Sequence, residues 1–396
     1  MKRFLEKLVE GALLISGSIT SITILLIIIF LFKEASGLFN SPVIEEGYVL
    51  AFNKANPVKK LSSYQIKQIF DGAITNWDEV GGKDEPIELV RLNDLTKYYT
   101  EEELGSNFEN IPAKASELTA KHHGIILFLP KQYVAKNFNG TLLNHETLRP
   151  GDFFGGQEWY PTATPSPQYG LLPLLLGTIW VSIGAILLSL PFGIAVAVYL
   201  AEISTMRVRN LLKPVIELLA GIPSVVYGFF GLVVIVPILQ KGFHLPVGET
   251  GLAGSIVLGI MALPTIITVA EDAMRNVPRA IKEASLALGA THWQTIYRVI
   301  IPYAKSGITS AAVLGIGRAI GETMAVLMVT GNAAVIPHTL LEPVRTIPAT
   351  IAAELGEVSS GSGHYQALFA LGCILFIITM IISISIEFIS TKKYSK

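Results

Sequence analysis

Residues 276–305 read NVPRAIKEASLALGATHWQTIYRVIIPYAK, and they lie between two strongly apolar runs, 251–270 and 307–331. Two helical signatures share this loop. Pro278 suits a first helical turn, and Ala280, Ile281, Ala284, Ala287 and Leu288 recur at helical spacing up to Gly289, a natural C′ residue. Thr291 followed by Gln294 then forms a capping box that opens a second helix. A short helix, a glycine stop and a re-entering helix make a protruding elbow, a shape that plugs into a partner. Periodicity alone also fits an amphipathic linker lying on a bilayer surface.

Outward from the elbow the chain is apolar. Of its 396 residues 51% are hydrophobic and 15% charged, against about 25% charged in soluble domains. Six runs are long enough to span a bilayer: roughly 11–32, 171–200, 214–239, 251–270, 307–331 and 365–389. The first exceeds a signal-peptide core and ends at Lys33-Glu34 without a small-x-small site, so it reads as an uncleaved span. Lys2, Arg3 and Lys7, then Arg207, Arg209 and Lys213, then the elbow's Arg275, Arg279, Lys282, Arg298 and Lys305, then Lys392, Lys393 and Lys396, all fall on one side of a six-span layout. By the positive-inside rule the elbow and both termini are cytoplasmic. A net charge of −1 argues against a nucleic-acid partner, and a single cysteine, Cys373, excludes an internal disulfide or a thiolate metal cluster.

Between the first two spans lies a polar segment, 33–168, whose composition is that of a soluble unit. Stretches 48–52, 87–91 and 124–129 read as strands, and 64–70 as a helix capped by Ser62 or Ser63. A small extracytoplasmic α/β domain is therefore expected at about 43–150, joined to the second span by the Pro-rich piece 159–169. Within the spans, Pro191, Gly193, Gly221, Pro223, Gly228, Gly231, Pro237, Pro264, Gly315, Gly317 and Gly321 suggest bent, closely packed helices.

Two ionisable residues inside a span stand out. Arg318 and Glu322 occupy i and i+4 of GIGRAIGETMAVLMV, on one helix face and placed to pair. Buried charge in a span is costly and marks a pathway, although a neutralising pair that only stabilises the bundle is also consistent. A guanidinium in low dielectric holds two oxygens of an oxyanion, and Glu322 would orient it when no anion is present. Glu202, Glu217 and Glu271-Asp272 lie at span ends. The histidines (His122, His123, His145, His244, His292, His338, His364) show no metal-ligand spacing, and no GxxxxGK[ST] is present for ATP hydrolysis by the chain itself. No cofactor or metal is expected.

Several of these stretches resemble a known family. Glu283-Ala284-Ser285 with Gly289 and Ile301-Pro302 resembles the EAA loop of ABC-importer permeases, the coupling helix that docks on the ATPase. Gly155–Trp159 in GGQEW, 169–180, Ile222–Gly228 in IPSVVYG, the elbow, and Gly317–Val326 in GRAIGETMAV are similar to phosphate-specific ABC permeases, the first-subunit (PstC) type more than the PstA type. The likeness spans roughly 152–387 and the first span. It implies an all-α polytopic membrane protein with six transmembrane helices and the type I importer (MetI-like) fold, carrying an α/β insert between helices 1 and 2. Domains would then be an N-terminal helix 1–40, the insert 41–150 and a permease core 151–396 of five helices with its coupling loop 276–305.

The resemblance further implies a bacterial inner-membrane, multi-pass permease that imports phosphate by alternating access. Its partners would be a sister permease of PstA type, two ATPase subunits, an extracytoplasmic phosphate-binding protein, and membrane lipid. Pro278, Glu283, Ala284, Gly289 and Pro302 would couple to the ATPase, and Arg318 and Glu322 would line the substrate path. Permeation of another oxyanion (sulfate, molybdate, phosphonate) and a membrane-bound phosphate sensor remain alternatives. The insert has its own likeness: 61–82, including IF-x-G-x-ITNW and VGG, resembles part of a periplasmic phosphate-binding protein. Where that family carries an anion-binding Ser-Gly-Thr turn, this chain has Asn93-Asp94-Leu95-Thr96-Lys97, without a glycine to let the backbone approach an anion. The resulting expectation is that the insert has lost ligand binding and instead shapes docking of a separate binding protein, or mimics one.

Overall fold

A computed structural model describes residues 2–105, 107–143 and 147–391; His145, Lys392, Lys393 and Lys396 lie outside the described residues. The chain divides into two compact units, Met1–Leu171 with Val358–Ala370, and Leu172–Glu357 with Leu371–Lys396.

The first unit opens with helix α1 (Lys2–Gly37), whose apolar side chains from Leu13 to Phe32 are exposed on all faces, as suits a lipid-embedded helix. A four-stranded sheet follows, in the order β2-β3-β1-β4: β1 (Tyr48–Phe52), β2 (Glu88–Arg91), β3 (Ile125–Pro130) and β4 (Thr141–Leu143). β1 runs antiparallel to β3 and β4, and β2 parallel to β3. Both faces are covered. Leu50, Phe52, Ile126, Trp77 and Leu143 pack with Ile66 and Ile69 of α2 (Ser63–Phe70). Ala51, Val90, Ile125 and Leu127 pack on the other side with Ala115 and Leu118 of α3 (Ile111–Lys121).

The three expected strands and the first helix are present. Ser62 caps α2, accepting from the Gln65 amide at 3.2 Å while its own amide donates to Gln65 Oε1 at 2.9 Å. Strand β4 and helix α3 were not anticipated. A buried polar knot ties the Pro-rich piece to α2: Ser166 Oγ donates to the Val43 carbonyl at 2.6 Å, and Gln168 Nε2 donates to the Ser63 carbonyl at 3.0 Å.

The second unit is helical. It contains α4 (Leu172–Ile203), α5 (Met206–Ala220), α6 (Ser224–Phe243), α7 (Gly251–Arg275), α8 (Arg279–Ala287), α9 (His292–Tyr303), α10 (Lys305–Gly321), α11 (Met324–Val329) and α12 (Ile347–Glu354); α13 (Gly363–Thr391) continues the chain. Among the described residues five helices are long and apolar enough to cross a membrane, and up to six if α9 and α10, bent by 70°, count as one. Two of the expected spans are corrected. The run 214–239 is two helices, because Pro223 disfavours helical Ile222 and starts α6 afresh. The run 307–331 breaks after Gly321, where Glu322 takes an extended backbone (φ −71°, ψ 133°) before a new helix starts at Met324.

Small residues set the core. At Gly184 of α4 a Cβ would lie 2.3 Å from Ser255 Oγ of α7, and at Gly193 one would lie 2.7 Å from Ile266 Cγ2. Ala185, Ala253 and Ala270 are buried alongside. Close backbone approach lets helices cohere where lipid removes the hydrophobic incentive to pack.

Candidate functional site

The elbow forms as its sequence requires. Pro278 precedes α8 in an extended conformation, and no residue of α8 is buried. Gly289 ends the helix with φ +85°. Its amide donates to the Leu286 carbonyl at 2.9 Å, and the Ala290 amide to the Ser285 carbonyl at 3.3 Å, the paired bonds of a Schellman stop. Thr291 then caps α9 reciprocally with Gln294. Glu283 and Ala284 are exposed on α8, Pro302 is exposed near the end of α9, and Leu288 is 90% exposed at the tip. Among the described residues almost nothing covers this apolar tip.

Ion pairs that the sequence reading missed anchor the elbow's base. Lys282 of α8 donates to Glu202 Oε1 at the end of α4 at 2.6 Å. Ser285 Oγ lies 3.1 Å from Thr295 Oγ1, joining α8 to α9. Glu271, 1% exposed on α7, meets Arg209 at 2.6 Å and Lys213 at 3.1 Å, both from α5. Lys213 also reaches Asp272 at 3.0 Å. Burial alone would lower the Lys213 pKa, but the Asp272 and Glu271 carboxylates outweigh it and hold the ammonium above its ordinary value. The signal was present as Arg209 and Lys213 four residues apart on a polar helix face. Their partners lie some sixty positions downstream.

Arg318 lies on α10, partly buried. Its Nη1 donates to Thr265 Oγ1 of α7 at 3.4 Å, and its charge is within electrostatic reach of the Tyr227 hydroxyl on α6, which donates to the Leu219 carbonyl at 2.8 Å. The expected pairing with Glu322 is absent: among the described residues no carboxylate lies within ion-pair distance of Arg318. The helix ends at Gly321, and Glu322 turns outward to accept from the Ala325 amide at 3.5 Å, at the start of α11. With no continuous turn between them, i and i+4 no longer share a face. The break is packed against α6, where a Cβ on Gly228 would lie 3.0 Å from Ala325 Cα and 2.8 Å from Met328 Sδ.

The anion turn expected to be lost in the insert is filled from within. After β2 a tight helical turn, Leu92–Lys97, brings Asp94 Oδ2 onto the Arg91 amide at 3.0 Å and Lys97 Nζ to 2.8 Å from Asp94 Oδ1. Lys97 and the Arg91 amide hold this carboxyl below its usual range. The Asp94 carboxylate thus takes up the Arg91 amide and the Lys97 ammonium at this turn.

Residues 189–393 match the family described as binding-protein-dependent transport system inner membrane component, and residues 29–134 match the PBP superfamily domain. A probable ABC transporter permease protein, YqgH of Bacillus subtilis (strain 168), is 40% identical over 246 residues, 62% of this chain and 79% of that protein. The phosphate transport system permease protein PstC of Mesorhizobium japonicum is 39% identical over 249 residues, 58% of this chain and 75% of that protein. Among solved structures, a chain of a bacterial ABC transporter involved in alginate import is 18% identical, with a TM-score of 0.44, covering 57% of this chain and 79% of that one. The chain belongs to the family of binding-protein-dependent transport system inner membrane components.

Proposed function

We propose that this chain is a permease subunit of an ATP-binding-cassette importer that moves inorganic phosphate into the cytoplasm. It would adopt the type I importer arrangement and work beside a sister permease of PstA type, two ATPase subunits and an extracytoplasmic phosphate-binding protein. The observation that carries this reading is Arg318: a guanidinium in an apolar helix whose hydrogen-bond partner is a neutral hydroxyl, 3.4 Å away. An unneutralised cation in a bilayer is expensive, so its retention points to an anionic passenger. The sequence likeness to permeases named for phosphate favours that oxyanion over sulfate, molybdate or phosphonate.

In this reading α8 and the start of α9 dock on the ATPase through Pro278, Glu283, Ala284, Gly289 and Pro302, and both termini are cytoplasmic. Movement of α8 reaches α4 through the Lys282–Glu202 contact and reaches α10 through the bend after α9. The break at Glu322 and Thr323, stiffened by Gly228 packing, is the place where α10 and α11 change angle around Arg318. Glu322 contributes by starting α11, not by holding Arg318. The insert, residues 41–150 in this division of the chain, lies outside the membrane and shapes docking of the binding protein instead of holding phosphate.

The test is radiolabelled phosphate uptake by cells or proteoliposomes carrying the assembled complex. Uptake that needs ATP and co-purification of an ATPase and a second permease is the expected result. ATP-independent signalling without uptake would favour the sensor alternative, and uptake of sulfate or molybdate with no phosphate would change the passenger. Phosphate binding by the insert would contradict its assigned role.

A further inference from the structure

A second guanidinium, outside the site above, is built like an anion receiver. Arg345 precedes α12, and the backbone around it is clamped. The Val344 amide donates to the Thr330 carbonyl at 2.8 Å, the Ile347 amide donates to Thr178 Oγ1 at 2.9 Å, and Gly177 approaches so closely that a Cβ there would lie 2.2 Å from the Arg345 carbonyl oxygen. The side chain, 16% exposed, runs along α12 to Glu354, where Nη2 meets Oε1 at 2.5 Å. Its Nε is buried and has no hydrogen-bond partner.

The next residue repeats the pattern. Thr346 is 3% exposed and its Oγ1 is also buried without a partner. It stands at the N-cap of an eight-residue helix, yet it caps nothing, and Pro348 beside it has no N–H to offer. At two successive positions before α12, a guanidinium Nε and a hydroxyl are thus buried without a partner, and both are groups that can receive negative charge. α12 also lines a cavity of about 490 Å³ through Pro348, Ile351 and Ala352. The same cavity is lined by Gly321 and Thr323, which flank Glu322 at the break that follows the helix of Arg318.

We propose that Arg345 and Thr346 form a second oxyanion subsite, serving the same passenger as Arg318, with Glu354 as a stand-in that the anion displaces from the guanidinium. Free phosphate is the ligand. This rests on the phosphate-permease reading. In the absence of phosphate Glu354 neutralises Arg345. When phosphate arrives, its oxygens take Nη2 and the Nε edge together and accept from the Thr346 hydroxyl, the bidentate geometry at which arginine excels. A passenger handed between two arginines is never left as a bare charge in low dielectric.

The test uses the assembled transporter in nanodiscs, with equilibrium binding of radiolabelled inorganic phosphate and uptake in proteoliposomes as readouts. Arg345→Gln should lower binding and maximal uptake by about tenfold or more. Glu354→Gln, which removes the competitor, should leave assembly intact and tighten phosphate binding several-fold. The double variant should behave like Arg345→Gln. A purely structural ion pair gives the opposite pattern: both single changes damage the protein and the double change restores it, and that result overturns the subsite.

Thr346→Val should weaken binding while Arg345→Lys restores only part of the loss, because an ammonium cannot supply the fork. Repeating the measurement in phosphatidylcholine and in anionic-lipid nanodiscs separates the two phosphate sources. An Arg345 effect confined to anionic lipid assigns the group to a headgroup and overturns the proposal. Normal phosphate uptake by Arg345→Gln overturns the subsite alone, whereas a wild-type complex that takes up no phosphate overturns the transport reading with it.

Discussion

The insert and the helical core keep their interiors in opposite ways. The largest fully buried side chains, Trp77, Trp159, Phe52 and Phe153 first among them, all belong to the unit that contains the sheet. Its polar groups are largely satisfied within it: Trp77 Nε1 donates to the Gly124 carbonyl at 2.8 Å, and Asp94 occupies the turn after β2. In the helical unit, burial falls on Gly184, Ala185, Gly193 and Ala253, and polar atoms at Arg345, Thr346 and Ser189 are left bare. Water drives the first kind of core and size is its currency. In a bilayer, close backbone approach takes over part of that role, and an ionisable group held inside a span marks a candidate pathway.

The sharpest way to break that contrast is to delete a charge from one unit and a ring from the other. Arg318→Ala should abolish phosphate uptake, a loss of about 2–5 kcal/mol in stabilisation of the bound anion, while the purified complex keeps or raises its melting temperature. A fall in thermal stability with uptake intact would place Arg318 among the structural residues. Trp77→Ala should do the reverse. Removing that fully buried ring should cost the insert about 3–5 kcal/mol, read as faster proteolysis between β1 and β4 in the whole chain.

Glu271→Ala tests a third case, charge used as structure. Glu271 is buried, but Arg209 and Lys213 retain some exposure and can rehydrate, so the expected cost is near the low end for a broken buried pair, about 2–3 kcal/mol in detergent stability. Lys282→Ala strands Glu202, whose side chain is 7% exposed, without its cation, so it should cost stability at least as much as Glu271→Ala, and it should also lower the uptake obtained per ATP hydrolysed. Equal losses of both activities would show that the Glu202 contact holds α8 in place without relaying its movement.

What could be read from the sequence, and what could not, follows the reach of each interaction. The elbow was legible because Pro278, Gly289 and the Thr291–Gln294 box act within five residues of themselves. Strand β1 and helix α2 were legible for the same reason, through alternation and the Ser62 cap. The break at Glu322 was hidden because GRAIGETMAV contains no proline and keeps a helical pattern. Beside it Ala325 and Met328 pack on Gly228, nearly a hundred residues earlier, a contact that local sequence does not announce. The boundary between α5 and α6 was written in Ile222-Pro223 but masked by continuous hydropathy. Arg345 escaped notice because it lies outside the six apolar runs, and only the fold reveals that its Nε is buried.

The smallest expected effect separates shape from docking within the elbow itself. At Gly289, φ +85° suits glycine, and a Cβ there would meet open space, with no heavy atom within 4 Å. Gly289→Ala therefore adds backbone strain without a clash, at a cost of about 1 kcal/mol. Asn tolerates the left-handed region better, so Gly289→Asn should cost less than alanine. If the Schellman stop matters only for folding, both variants should lose a little stability in that order and transport normally. If the stop also sets the angle at which α8 enters a partner, uptake per ATP should fall in alanine and recover in asparagine, while basal ATP hydrolysis persists. Gly289→Asn that is as uncoupled as alanine would mean that the bare Cβ-free surface at the tip, and not the turn it makes, is what the partner reads.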